Sequence, residues 1–239
     1  MNKIFVGTLY CGENDFKFCL DSISQQAGVE IKHCIIENLP EAAAHNKLWD
    51  SWRSVQKDFD IFVKIDADTV LVHENILYEI CKVFSSNNRI TGMQCPLKDY
   101  FTNEFINGLN CFSNKVQFNN TKNELYCDRN IDTNHDIVIK SEAVPNNLRP
   151  AGYHCYYASD IQAFHFGLHR QLKNQNETIM KVYEAWKKSN HDYLRTYVLL
   201  GAKFAKQFQG TNQFNYNDLK FQKTFEECKN NFSELKRLL

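Results

Sequence analysis

Asp60-Ile61-Phe62-Val63-Lys64-Ile65-Asp66-Ala67-Asp68-Thr69-Val70-Leu71 is the stretch whose reading decides the fold. Ile61 to Ile65 is short, rich in β-branched residues and almost uninterrupted in its apolar character, as expected of a strand buried on both faces. It stops abruptly at a carboxylate. In an open α/β sheet, ligands bind beyond the carboxyl ends of the strands, so this segment would deliver Asp66 and Asp68 to the mouth of a crevice. Two hard oxygen donors one residue apart suit a divalent cation such as Mg2+ or Mn2+ that shares its shell with water and phosphate oxygens. On a purely structural reading the same pair would cap the helix that starts near Glu74. A second copy of the pattern, Asp58-Phe59-Asp60, precedes the apolar run and falls at the amino end of the strand, where charged residues mark a solvated loop.

Outward from that strand, the order on both sides is regular. Upstream, Ile4 to Tyr10 reads as a buried strand, and Phe16, Cys19, Leu20 and Ile23 recur at helical spacing. Ile31 to Ile36 is a further strand ending at Glu37-Asn38, and Ala44, Leu48, Trp52 and Val55 mark the apolar face of the next helix. Downstream, Ile76, Leu77, Ile80, Val83 and Phe84 form another inward stripe. Strand and helix alternating at this spacing imply a parallel sheet with right-handed crossovers. The order is that of a nucleotide-binding half-sheet, yet neither Gly-x-Gly-x-x-Gly nor Gly-x-x-x-x-Gly-Lys-Ser/Thr occurs. A bound diphosphate would need another counter-charge, which a cation on Asp66 and Asp68 would supply.

The remainder is less regular. Arg89 to Gln117 reads as short strands and substrate-facing loops, 119–134 as a polar surface excursion, and Asp136 to Lys140 as either a strand or a helix start. Residues 151–170 contain His154, His165 and His169, three of the eight histidines. His165 and His169 are four apart on an expected helix, a spacing that presents two side chains together, either as ligands or packed with Phe164 and Phe166. Three apolar stripes follow, from Ile179, Leu194 and Phe221 onward, and predict a C-terminal helical extension that packs on the sheet or on a partner or second copy.

Lys plus Arg equals Asp plus Glu at 28 each, which argues against a protein whose main task is holding nucleic acid. The nine cysteines are odd in number and include no Cys-x-x-Cys, so reduced thiols in a cytoplasmic protein are the simplest expectation. The apolar run after Met1-Asn2-Lys3 is too short for a signal segment, and no stretch approaches a membrane span.

With Lys64-Ile65-Asp66-Ala67-Asp68 closing a buried third strand and Glu37 closing the second, the chain resembles GT-A-type glycosyltransferases, broadly the inverting family-2 kind, over residues 3 to 170. The later features follow the family order: Asn107-Gly108-Leu109 as an acceptor loop, Asn134-His135-Asp136 where an acidic pair is usual, and Gly152-Tyr153-His154 with a late histidine. The resemblance implies a Rossmann-like, mostly parallel sheet flanked by helices, with residues 1–172 as donor-binding and catalytic domain and 173–239 as helical extension. It implies transfer of a sugar from a nucleoside-diphosphate sugar, by family habit a UDP-sugar, to a glycan or other hydroxyl acceptor with inversion. Asp66, Asp68 and His154 would hold Mn2+ or Mg2+ on the diphosphate, Thr8 and Glu37 would lie near the nucleoside, and Asn46 near the donor. Asp136 is the first candidate for general base and Asp160 its rival. Arg170 would bind the diphosphate or cap its helix. The acidic pair is replaced by His135-Asp136 and no Gln-x-x-Arg-Trp occurs, which argues against a processive synthase.

Two other classes share parts of this pattern. Asp66-Ala67-Asp68-Thr69-Val70 also spells the first motif of haloacid-dehalogenase-type phosphatases, with Asp66 as nucleophile and Asp68 as general acid. That fold usually begins with this strand and supplies a later acidic pair to hold Mg2+, whereas here the strand is third and no later Asp-Asp or Gly-Asp-x-x-x-Asp follows. A glycosyltransferase-like module that only binds carbohydrate or a partner is the non-enzymatic alternative.

Overall fold

The computed structural model describes residues 2–127 and 136–239, which form two compact units. The first contains residues 2–10, 15–99 and, among those described, 105–156; the second contains 11–14, 100–104 and 157–239.

The first unit is an eight-stranded sheet with helices. Its elements are β1 (Asn2–Tyr10), α1 (Phe16–Ser24), β2 (Val29–Glu37), α2 (Glu41–Val55), β3 (Ile61–Lys64), β4 (Thr69–Leu71), α3 (Ile76–Ser86), β5 (Ile90–Asp99), β6 (Phe105–Ser113), β7 (Ile137–Ile139) and β8 (Gly152–His154). The strand order is β2-β1-β3-β6-β5-β8-β4, with β7 also paired to β5. Among the described residues, β1–β2, β1–β3, β5–β7 and β5–β8 run parallel, while β3–β6, β5–β6 and β4–β8 run antiparallel. The expected α/β architecture, with a mostly parallel sheet flanked by helices, is therefore present.

Strand alternation builds two cores from one sheet, because successive side chains leave opposite faces. Ile4, Val6, Ile61, Val63 and Ile65 pack with Cys19 and Ile23 of α1 and Ile76, Leu77 and Ile80 of α3. Phe5 and Phe62, at the intervening positions, pack with Leu48, Trp49 and Trp52 of α2 and with Phe118. Phe62 lies 5.3 Å from the Trp52 ring in a stack and 5.8 Å from Trp49 edge-on. Each buried aromatic of this size removes 150–250 Å2 of surface from water, which fixes α2 on its face.

The second half of the sheet departs from the sequence reading. Arg89 to Gln117 was expected to hold short strands and loops; it forms the long antiparallel pair β5 and β6. Asn107-Gly108-Leu109 is accordingly strand rather than acceptor loop. A Cβ on Gly108 would come within 2.3 Å of Leu97 Cδ1, so the glycine serves close strand packing. Pro96, which has no amide hydrogen for a ladder, sits where the register shifts between Cys95 and Pro96. Ile137–Ile139, left open between strand and helix, is β7.

The second unit is helical: α4 (Asp160–Leu172), α5 (Asn176–Lys188), α6 (Tyr193–Phe204), α7 (Leu219–Asn230) and α8 (Phe232–Lys236). Asp192 caps α6 by accepting the Arg195 amide at 2.9 Å. The Arg195 guanidinium donates to the Phe101 carbonyl at 2.9 Å and lies 4.5 Å from the Tyr100 ring centre, tying residues 100–104 into this unit. No helix among the described residues is long and apolar enough to cross a membrane.

Candidate functional site

Backbone register assembles a polar group at the carboxyl edge of the sheet. After β3, the turn Ile65-Asp66-Ala67-Asp68 is closed by the Thr69 amide donating to the Asp66 carbonyl at 2.9 Å. The chain then enters β4, where Thr69 faces His154 of antiparallel β8; one step beyond, the Cys155 amide donates to the Asp68 carbonyl at 2.9 Å. On its other side β8 runs parallel to β5 and sets His154 beside Asp99. Three strand ends thus bring Asp68, Asp99, His154 and Cys155 together.

The side chains complete the contact. His154 Nδ1 lies 2.7 Å from Asp99 Oδ1, with Asp99 fully buried, while Nε2 lies 3.4 Å from Asp68 Oδ2. An ionised carboxylate only accepts, so Nδ1 is the donor to Asp99. Cys155 Sγ lies 3.4 Å from Asp68 Oδ2 and 3.6 Å from His154 Nε2. Burial alone would raise the Asp68 carboxyl, yet the charge on His154 and hydrogen bonds from His154 and Cys155 bring it down to about 2. For His154, burial opposes the imidazolium, and the interactions with Cys155 and with the Asp68 and Asp99 carboxylates more than compensate, holding its pKa well above the ordinary range. Burial pushes the Cys155 thiol well up, with the Asp68 charge adding to it.

This group fits a divalent cation. Asp68 Oδ1 is buried and has no hydrogen-bond partner among the described residues. One ligand atom each from Asp68, His154 and Cys155 lies within 4.8 Å of the other two. The buried carboxylate behind the histidine is the arrangement that commonly orients a metal-binding imidazole and raises its basicity.

The other residues expected at the site are placed as follows. The Asp66 carboxylate pairs with Lys64 Nζ and is not one of the three grouped ligands. Thr8 is buried near the carboxyl end of β1 with Oγ1 2.9 Å from His33 Nε2, and Glu37, the exposed last residue of β2, lies along the same edge of the sheet. Asn46 on α2 is bonded in both directions to the Thr121 backbone, at 2.7 and 2.8 Å, which makes it a staple for the loop beside it. Asp136 stands at the opposite end of the sheet. Its amide donates to Thr91 Oγ1 near the start of β5, whereas Asp99 ends that strand, about 25 Å away at roughly 3.3 Å per residue. Its carboxylate receives two hydrogen bonds from Arg89, at 2.8 and 2.9 Å, which lower its pKa. The structure therefore does not bring Asp136 to the Asp68 group; Asn134 and His135 lie outside the described residues.

In the second unit, Asp160 opens α4 and accepts its own neighbour's amide, from Ile161, at 2.9 Å. Arg170 in the last turn of α4 donates to Gln175 Oε1 at 2.9 Å and lies 4.7 Å from the Phe166 ring centre. His165 and His169 stack on each other at 5.3 Å, His165 lies tilted 4.5 Å from Tyr216 and His169 stacks on Phe214, so the packing reading describes their surroundings, with different aromatics from those expected.

Asp99 and Cys155 were missed in the sequence. Nothing in Leu97-Lys98-Asp99 signals chemistry, because Asp99 matters only through its register with β8. Cys155 had a signal, its adjacency to His154. A second group of three, Glu41, His45 and Cys127, also has ligand atoms within 4.8 Å of one another; the Glu41–His45 spacing of four on α2 was legible.

No family model matches the chain, and no curated protein matches it in sequence. Among solved structures, a cytidylyltransferase from Leptospira borgpetersenii serovar Hardjo-bovis aligns at 12% identity and TM-score 0.35, covering 48% of this chain and 61% of that one. A glycosyltransferase involved in glycosylation of the major capsid of PBCV-1 aligns at 15% identity and TM-score 0.31, covering 45% and 59%. The mannosyltransferase PcManGT from Pyrobaculum calidifontis, in complex with GDP-Man and Mn2+, aligns at 12% identity and TM-score 0.36, covering 98% and 82%. The chain thus spans about three fifths of the first two. At these TM-scores none of the likenesses decides fold or activity.

Proposed function

We propose that this chain is a metal-dependent glycosyltransferase that moves a sugar from a nucleoside-diphosphate sugar, with UDP as the carrier, to a hydroxyl of a glycan or other acceptor, with inversion. The observation that carries the reading is the convergence of Asp68 and His154 at the carboxyl edge of the sheet, with Asp99 buried behind the histidine. When bound, Mn2+ or Mg2+ would offset the negative charge that develops on the leaving diphosphate.

The chain's own residues take the following parts. Asp68 and His154 hold the cation, and Asp66, carried by the same turn, faces the diphosphate and its remaining ligand positions. Thr8 and Glu37 frame the nucleoside along the shared edge of β1 and β2, and Asn46 keeps the neighbouring loop closed on α2. Asp136 is tied to Arg89 at the far end of β5, away from the Asp68 group, so the reading assigns it no part in deprotonating the acceptor hydroxyl. The sheet unit carries donor binding, and residues 173–239 form the helical extension. Met180, Tyr193, Leu219 and Leu238 are exposed on its helices or just beyond them and support its use as a contact for a partner or second copy.

The test is Mn2+-dependent release of nucleoside diphosphate from a panel of nucleotide sugars. Wild type is expected to release it slowly without acceptor, Asp68→Asn not at all. A phosphatase would instead free phosphate from a monoester, and a binding module would do neither; either result rejects the proposal.

A further inference from the structure

We propose that Cys155 is a third protein ligand to the cation held by Asp68 and His154, giving an oxygen, nitrogen and sulfur donor set that prefers borderline ions such as Zn2+ or Co2+ to Mg2+. This rests on the reading of Asp68 and His154 as metal ligands.

Backbone conformation is the first argument. Consecutive residues of an extended strand send their side chains to opposite faces, so a continued β8 would turn Cys155 away from His154. Instead Cys155 adopts φ +58, and its sulfur comes to 3.6 Å from His154 Nε2 and 3.4 Å from Asp68 Oδ2. The other non-glycine residues at positive φ among those described are Asn38, Asn103, Asn174, Asn190 and His191, residue types that populate this region readily. Cysteine has no such tendency, and glycine would fit the turn without steric cost. Backbone strain of this kind clusters where a side chain must be aimed at a site.

Donor chemistry is the second argument. Thiolate ligands favour Zn2+-like ions and imidazole binds them well, whereas Mg2+ and Mn2+ prefer oxygen donors. All three candidate ligand atoms lie within 4.8 Å of one another, and the Cys155 amide is already anchored on the Asp68 carbonyl. Metal loading would replace the thiol proton, which passes to solvent, and form a metal–sulfur bond.

Co2+ and Cd2+ titrations followed by ultraviolet and visible absorption test this without reference to turnover. Wild type is expected to develop a sulfur-to-metal charge-transfer band that Cys155→Gly lacks. Comparing the two proteins removes any signal from the other eight cysteines, including Cys127 beside His45. Glycine suits the backbone at position 155, so Cys155→Gly should still fold and unfold in one cooperative transition. Losing an outer hydrogen-bond partner of a ligand costs about 10–100-fold in affinity, so losing the sulfur should weaken Co2+ binding at least that much. Mg2+ affinity should be nearly unchanged. If wild type binds Co2+ in an Asp68-dependent manner but shows no such band, or if Cys155→Gly retains it, Cys155 is not a ligand and the cation reading stands. If Asp68→Asn binds Co2+ as tightly as wild type, that reading fails and this proposal with it.

Discussion

Asp68 is the residue through which the candidate site bears on stability. Its carboxyl is held down to about 2 in the folded chain, against an ordinary value of 3.8, so the folded state binds a proton there less readily than the unfolded state. The stabilisation is complete above the ordinary value and is lost as pH falls from about 4 toward about 2. Asp68→Asn should flatten that part of the acid limb in urea titrations of the metal-free protein; an unchanged slope would show that the pairing with His154 contributes nothing in solution. Asp99 acts one step further out. Asp99→Asn replaces the carboxylate that receives the Nδ1 hydrogen with a neutral amide, and metal affinity should drop by about 10–100-fold. Calorimetric titration with Mn2+ checks this. Equal affinity in the variant would mean that the ring is oriented by something else.

At the scale of elements, the helix pair α4 and α6 carries a prediction that depends on two hydrogen atoms. A Cβ on Gly167 would lie 1.8 Å from the Val198 carbonyl oxygen, and one on Gly201 would lie 2.0 Å from that of Phe164. Backbone cannot move aside as a flexible side chain does, so the helices would have to separate. Gly167→Ala and Gly201→Ala should each cost at least about 1–3 kcal/mol, the usual range for overpacking, despite the higher helix propensity of alanine. A lower urea midpoint with unchanged slope is the expected result, and a gain in stability would contradict the close contact. Gly201 stood in a legible stripe with Leu194, Tyr197 and Val198, so that helix was visible before its packing was. The same holds for β1, α1, β2, α2, β3 and α3, whose apolar residues come either in short continuous runs or at helical spacing. The long pair β5 and β6 was not legible, because Pro96 and Gly108 imitate loop punctuation where they serve a bulge and a close approach. Nor was the break between β3 and β4, since the apolar residues resume immediately after Asp68. The candidate site was half legible for the same reason: Asp68 and His154 announce themselves by type, whereas Asp99 and Cys155 are recruited by register alone.

Taken as a whole molecule, the chain contains nine cysteines with no disulfide bond between any of them, in a fold whose cores are already formed by large apolar side chains. Cys11 and Cys34 are partly exposed and the other seven are buried. Burial pushes Cys81 and Cys228 up to about 12 and raises Cys111 well beyond the ordinary range, so these remain protonated thiols at neutral pH. Only thiolates react quickly with disulfide reagents, and only where the reagent reaches them. The native protein should therefore release about two equivalents of a chromogenic thiol reagent rapidly, from Cys11 and Cys34, and all nine once unfolded. Since no covalent crosslink contributes to the fold, adding a reductant should leave the melting temperature unchanged; a melt lowered by reductant would reveal a crosslink in solution.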